Sequence, residues 1–129
     1  AVRPSSGRWS TCANIQYSSF DMVESMIPVY DYIMTHGSDK KFVIYSGDND
    51  SICATVEAQT ALYGASGLKE TKAWAPISVK GQVAGYKSEF SNGKGSLTFM
   101  TVHGAGHMTP STRPAFTYAA FEAFVNNKL

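Results

Sequence analysis

Lys41-Phe42-Val43-Ile44-Tyr45-Ser46-Gly47-Asp48-Asn49-Asp50 is the stretch on which the fold turns. Its first six residues form a short, almost continuously apolar, β-branched run, the pattern of a strand buried on both faces of a parallel sheet. The run stops at Gly47 and a polar turn follows. Residues from about Ala54 to Tyr63 then read as a helix closed by Gly64. Upstream, Ser18 or Ser19 can cap a helix from about Asp21 to Thr35, with Met22, Met26, Val29 and Ile33 on one face and Gly37 as its stop. Pro28 within it predicts a bend, because proline removes one backbone donor.

Downstream, Lys69 to Gly81 reads as irregular, with Trp74 and Pro76 interrupting any pattern. Gln82 to Phe90 and Ser96 to His103 read as two strands joined at Asn92-Gly93 in a hairpin. Ser111 with Pro114 opens a last helix whose face includes Phe116, Ala120, Phe121 and Phe124. The pattern is α/β in one structural unit. A strand covered on both faces needs neighbours on both sides, yet only three strands are legible and two of them pair with each other. The sheet is therefore expected to be completed by something outside the chain.

At 129 residues and 43% hydrophobic, the chain is long and apolar enough to bury a core. A net charge of +1 with 16% charged residues and no basic run argues against nucleic acid or an anionic membrane as partner. No apolar stretch reaches the length of a spanning helix. The start at Ala1, without methionine and in a polar stretch, reads as a processed terminus. Cys12 and Cys53 could be two buried thiols or one bridge with each other.

Asp50 lies in the loop after the buried strand, at the carboxyl end where open α/β sheets place their sites. Alternatively, Asp48 and Asp50 cap the helix that follows. A calcium loop is excluded, because Ile52 takes the next alternate position of Asp48-Asn49-Asp50-Ser51 and no glycine follows. His107 lies in Gly104-Ala105-Gly106-His107, where small residues let the backbone carry an imidazole to an exposed edge. A surface histidine in a turn is the plain alternative, and His103 reads as packing or surface. Gly104 and Gly106 disfavour the helix that would turn His103 and His107 into metal ligands, and Thr109 replaces the third glycine of a dinucleotide fingerprint.

Together the two positions say more. In α/β-hydrolases the triad runs in the order nucleophile, acid, histidine, with the last two in loops after late strands. Asp50 and His107 keep that order. The Gly-x-Ser-x-Gly elbow that should precede them does not occur, and Gly64-Ala65-Ser66-Gly67 follows Asp50 and lacks the spacing. The nucleophilic serine is thus expected on another polypeptide. The chemistry needs no metal and no cofactor, and none is expected.

Tyr45-Ser46-Gly47-Asp48-Asn49-Asp50-Ser51-Ile52-Cys53 and Val102-His103-Gly104-Ala105-Gly106-His107-Met108-Thr109-Pro110 resemble the acid and histidine motifs of serine carboxypeptidases. Trp9-Ser10-Thr11-Cys12, Gln82-Val83-Ala84-Gly85-Tyr86 and Arg113-Pro114 with its phenylalanine-rich helix resemble further segments, so the likeness spans nearly the whole chain. The resemblance implies that residues 1–129 form the C-terminal part of one α/β-hydrolase domain, with Asp50 as triad acid, His107 as general base and Asp48 shaping the loop. It implies that Cys53 is a free thiol lining the substrate site and that Met108 helps form the pocket for the released residue. Cys12 would bridge to the N-terminal, larger chain of a two-chain enzyme, which places the protein in an oxidising setting, secreted or vacuolar and lysosomal. The activity implied is release of C-terminal residues from peptides. Acyltransferases, hydroxynitrile lyases and inactive binding homologues of the same family would carry the same Asp50 and His107. Asn49-Asp50-Ser51 is a glycosylation sequon expected to be unmodified, since a glycan there would block the acid.

Overall fold

The computed structural model describes residues 16, 18–20, 22–37 and 42–128. Among these residues four strands form one sheet in the order β1-β4-β3-β2: β1 (Val43–Gly47), β2 (Lys69–Val79), β3 (Gln82–Ser91) and β4 (Ser96–Val102). β1 runs parallel to β4, with Gly47 opposite Val102, and the other pairings are antiparallel. The helices are α1 (Ile27–His36), α2 (Thr55–Gly64), α3 (Thr109–Thr112) and α4 (Pro114–Val125).

Alternation along β4 divides the core. Leu97 and Phe99 join Met34, Leu62 and Phe90 under α1 and α2, while Met100 and Val102 join Ala105 and Ala120 under α4. β4 is therefore the strand covered on both faces. β1, expected in that role, is an outer strand paired with β4 alone among the described residues, and its Tyr45 is half exposed. Ile44 packs partly against the first core and Val43 partly against the second, so within this chain β1 is half-buried on its faces, and its further neighbour is the one expected from outside the chain. Between β1 and α4 lies an apolar groove of about 450 Å³ bordered by Val43, Tyr45, Met100, Tyr118 and Phe121.

Three other expectations need correction. α1 begins at Ile27, and Pro28 sits in its first turn, where a missing donor leaves no helix bond unmade, so proline starts the helix instead of bending it. Its packing stripe is Ile27, Tyr30 and Met34; Met22, Met26 and Val29 are exposed. The expected start at Asp21 lies outside the described residues. The segment read as irregular is β2, an outer strand of the sheet among the described residues, and an outer strand tolerates Pro76 because its missing donor need not break the ladder. Lys80 and Gly81, at φ 51° and 78°, close a tight turn between paired Val79 and Gln82. Finally, the last helix is two: Pro114 disfavours helical backbone at Arg113, which breaks at φ −136°, and Phe121 is exposed, not on the packed face.

The β3–β4 hairpin is as expected, with Gly93 at φ 82° and Asn92 Oδ1 accepting from Lys94 and Gly95 N–H. α2 matches as well, although Gly64 is its last helical residue and not a left-handed stop.

Candidate active site

Parallel pairing of β1 with β4 releases two loops side by side at the carboxyl ends of adjacent strands. Asp48 N–H donates to Val102 O at 3.2 Å and Asn49 N–H to Ala105 O at 2.9 Å, so the loops are bonded from their first residues. Gly47 is buried against the second loop. Its neighbours are held in turn: Ser46 Oγ donates to Cys53 O and Thr55 Oγ1 to Gly47 O, each at 3.2 Å. On the other side Gly106 N–H donates to Thr112 Oγ1 at 3.3 Å and Arg113 Nε–H to Gly104 O at 3.1 Å.

This scaffold brings Asp50 and His107 together across 57 residues, with His107 Nδ1 at 2.9 Å from Asp50 Oδ2. Asp50 Oδ1 accepts from Ile52 N–H at 2.8 Å and Cys53 N–H at 3.1 Å. Those bonds precede α2, whose first residue follows an Ala54 cap without a side-chain bond, so neither Asp48 nor Asp50 caps the helix. The Asp50 side chain is 5% exposed and that of His107 53%. The acid is enclosed and the imidazole is presented.

The two backbone N–H bonds from Cys53 and Ile52 lower the pKa of Asp50 below the ordinary carboxylate value of 3.8; burial opposes them, and His107 adds to the lowering. An ionised carboxylate only accepts, so Nδ1 carries the proton toward Asp50 and Nε2 is left free to accept one. The sign of the linked stability follows. A depressed carboxylate contributes stability above its unfolded value and loses it as pH falls through its folded one. The stability difference between the protein and Asp50→Asn should therefore be full at neutral pH, begin to shrink near the ordinary value of 3.8 and lose its pH-dependent part only below the lowered folded value. Thermal unfolding of both between neutrality and strong acid checks this, and a difference that is constant with pH would contradict it.

Cys53 is a free, exposed thiol, so the buried and Cys12-bridged alternatives do not apply to it. One donor atom each of Asp50, Cys53 and His107 lie within 4.8 Å of one another. Such a trio has metal-ligand chemistry, but Asp50 Oδ1 already accepts two backbone N–H bonds and Oδ2 faces His107 Nδ1, so the carboxylate is committed first to protein donors. Met108 follows His107 with its side chain exposed. Cys12 lies outside the described residues. His103, read as packing or surface, is exposed, and its Nδ1 also stands 2.7 Å from Asp48 Oδ2, a pair that no local pattern announced.

The sequence matches the serine carboxypeptidase family over residues 1–127. It is 32% identical over 121 residues to serine carboxypeptidase-like 26 of Arabidopsis thaliana, covering 93% of this chain and 25% of that protein. Putative serine carboxypeptidase-like 30 of the same plant is 35% identical over 118 residues, covering 91% and 23%, and serine carboxypeptidase-like 40 is 32% identical over 119, covering 92% and 22%. The chain thus spans about a quarter of the length of the curated relatives it matches. With the match running across both loops and the strands and helices that hold them, the chain belongs to the serine carboxypeptidase family.

Proposed function

We propose that this chain supplies the acid and the general base of a Ser-His-Asp triad in a serine-type carboxypeptidase, and that the nucleophilic serine lies on a part of the protein outside it. The observation that carries the reading is the enclosed Asp50 carboxylate, pinned by two backbone N–H groups and bonded through Oδ2 to His107 Nδ1 at 2.9 Å. With Nδ1 fixed toward the acid, Nε2 takes the serine proton during attack on the peptide carbonyl and returns it to the leaving amine, while Asp50 stabilises the imidazolium. Cys53 and Met108, flanking the pair, line the site for the residue released.

The edge of β1, unpaired among the described residues, and the apolar groove beside α4 support completion of an α/β-hydrolase sheet by the remaining, N-terminal part of the enzyme. Cys12 bridges to that part, which fits a secreted or vacuolar and lysosomal setting. Intact mass analysis of the complete protein, before and after reduction and after reaction with a fluorophosphonate, tests the reading. Label is expected on a serine outside residues 1–129, with reduction releasing any chain joined through Cys12. Hydrolysis of a peptide with a free C-terminus, and not of its amide, identifies the carboxypeptidase. A folded protein that takes no label would refute the triad.

A further inference from the structure

We propose that Asp48 and His103 are positioning residues for the reaction assigned to Asp50 and His107, a second His-Asp pair that ties the acid loop to the histidine loop; this rests on the triad reading above. Asp48 stands two residues before Asp50, and His103 four before His107. Both Asp48 oxygens reach the opposite loop: Oδ2 accepts from His103 Nδ1 at 2.7 Å and Oδ1 from Gly104 N–H at 2.6 Å. Gly104 is where that loop turns, at φ 68°. Fixing its amide fixes the entry to Gly104-Ala105-Gly106, the run that carries His107. That run has no side chain larger than a methyl with which to hold itself, and its carbonyl and amide are held from the far side by Arg113 and Thr112. On the near side Asn49 N–H holds Ala105 O, and Asp48 holds the Gly104 amide where the run begins.

The pair is too exposed, at 63% for the His103 side chain and 31% for that of Asp48, to matter much to global stability. Its effect lies in geometry. Proton transfer demands His107 Nε2 within hydrogen-bond reach of the serine, and small displacements of a reacting group cost large factors in rate.

The test is steady-state kinetics on the complete enzyme, with the concentration of competent sites fixed by active-site titration. Asp48→Ala should lower kcat per titrated site roughly tenfold to a hundredfold, with KM within about twofold. His103→Ala should lower kcat in the same direction by less. His103→Asn, whose side-chain N–H replaces Nδ1–H, should restore kcat to within about threefold of the parent. A merely structural role would reduce the number of titrated sites and leave kcat per site unchanged, and that result in both alanine variants overturns the proposal. Should Asp48→Ala not fold, the His103 variants decide. His107→Ala, run alongside, separates the two failures: activity lost there but retained in Asp48→Ala and His103→Ala overturns the positioning role alone, whereas activity retained in His107→Ala overturns the triad.

Discussion

His107→Ala in the complete enzyme is expected to lower kcat by roughly 10⁴ to 10⁶, because a serine without its base is a hydroxyl at its ordinary basicity and only binding and oxyanion stabilisation remain. Asp50→Asn should cost about 10⁴, and for a different reason. The amide can still accept from Ile52 and Cys53 N–H through one oxygen, so the loop survives, but the atom facing His107 Nδ1 becomes a donor. The imidazole must then present a lone pair at Nδ1 and carry its proton on Nε2, the wrong tautomer for accepting the serine proton. The losses should not add, since the aspartate acts only through the histidine, and the double variant should resemble His107→Ala alone. Pre-steady-state kinetics with an activated ester measures this directly. An Asp50→Asn enzyme retaining more than about a tenth of parental kcat would remove Asp50 from the triad.

The Asp50–His107 pair was legible because each member follows a strand and sits in a motif of its own, and because chain order suggested that the two belong together. Their meeting was not written in either segment; it depends on β1 and β4 being parallel neighbours, with Gly47 opposite Val102. Periodicity has no access to that adjacency. For the same reason the Asp48–His103 pair stayed invisible, two side chains 55 residues apart with no local pattern joining them. β2 escaped notice differently. It is exposed from Lys69 to Trp74, carries three register irregularities and alternates in burial only from Ala75 to Val79, so little of the period of two that marks a strand was available, while Pro76 argued against one. In α1 the misleading signal was real spacing at Met22 and Met26, overridden by the preference of Pro28 for the first turn.

Gly47→Ala is the second large effect expected, here on stability and activity together. Gly47 lies outside the left-handed region, so what it supplies is space, not conformational freedom. A Cβ at this position would stand 2.3 Å from Ala105 O and 2.5 Å from Gly106 O, both backbone atoms in a bonded loop that cannot rotate away as a side-chain tip can. Either β1 or the histidine loop must move. Overpacking of this kind costs about 1–3 kcal/mol and more where backbone must yield, so a loss of about 3 kcal/mol is expected in urea unfolding of the complete protein. The displaced carbonyls belong to the two residues before His107, and one of them, Ala105 O, accepts from Asn49 N–H beside Asp50. The separation of His107 from Asp50 therefore shifts with the strain, and kcat per titrated site should fall at least tenfold, in line with the rate cost of misplacing a reacting group. Gly64→Ala is the control. It lies at the end of α2 with nothing within 4 Å of its added Cβ, and should leave activity intact while raising stability by about 0.5–1 kcal/mol. Equal stability and activity for Gly47→Ala and the parent would mean the two loops are not in contact as described. A loss confined to Gly47→Ala would tie the close approach of strand end and loop to the geometry of the pair.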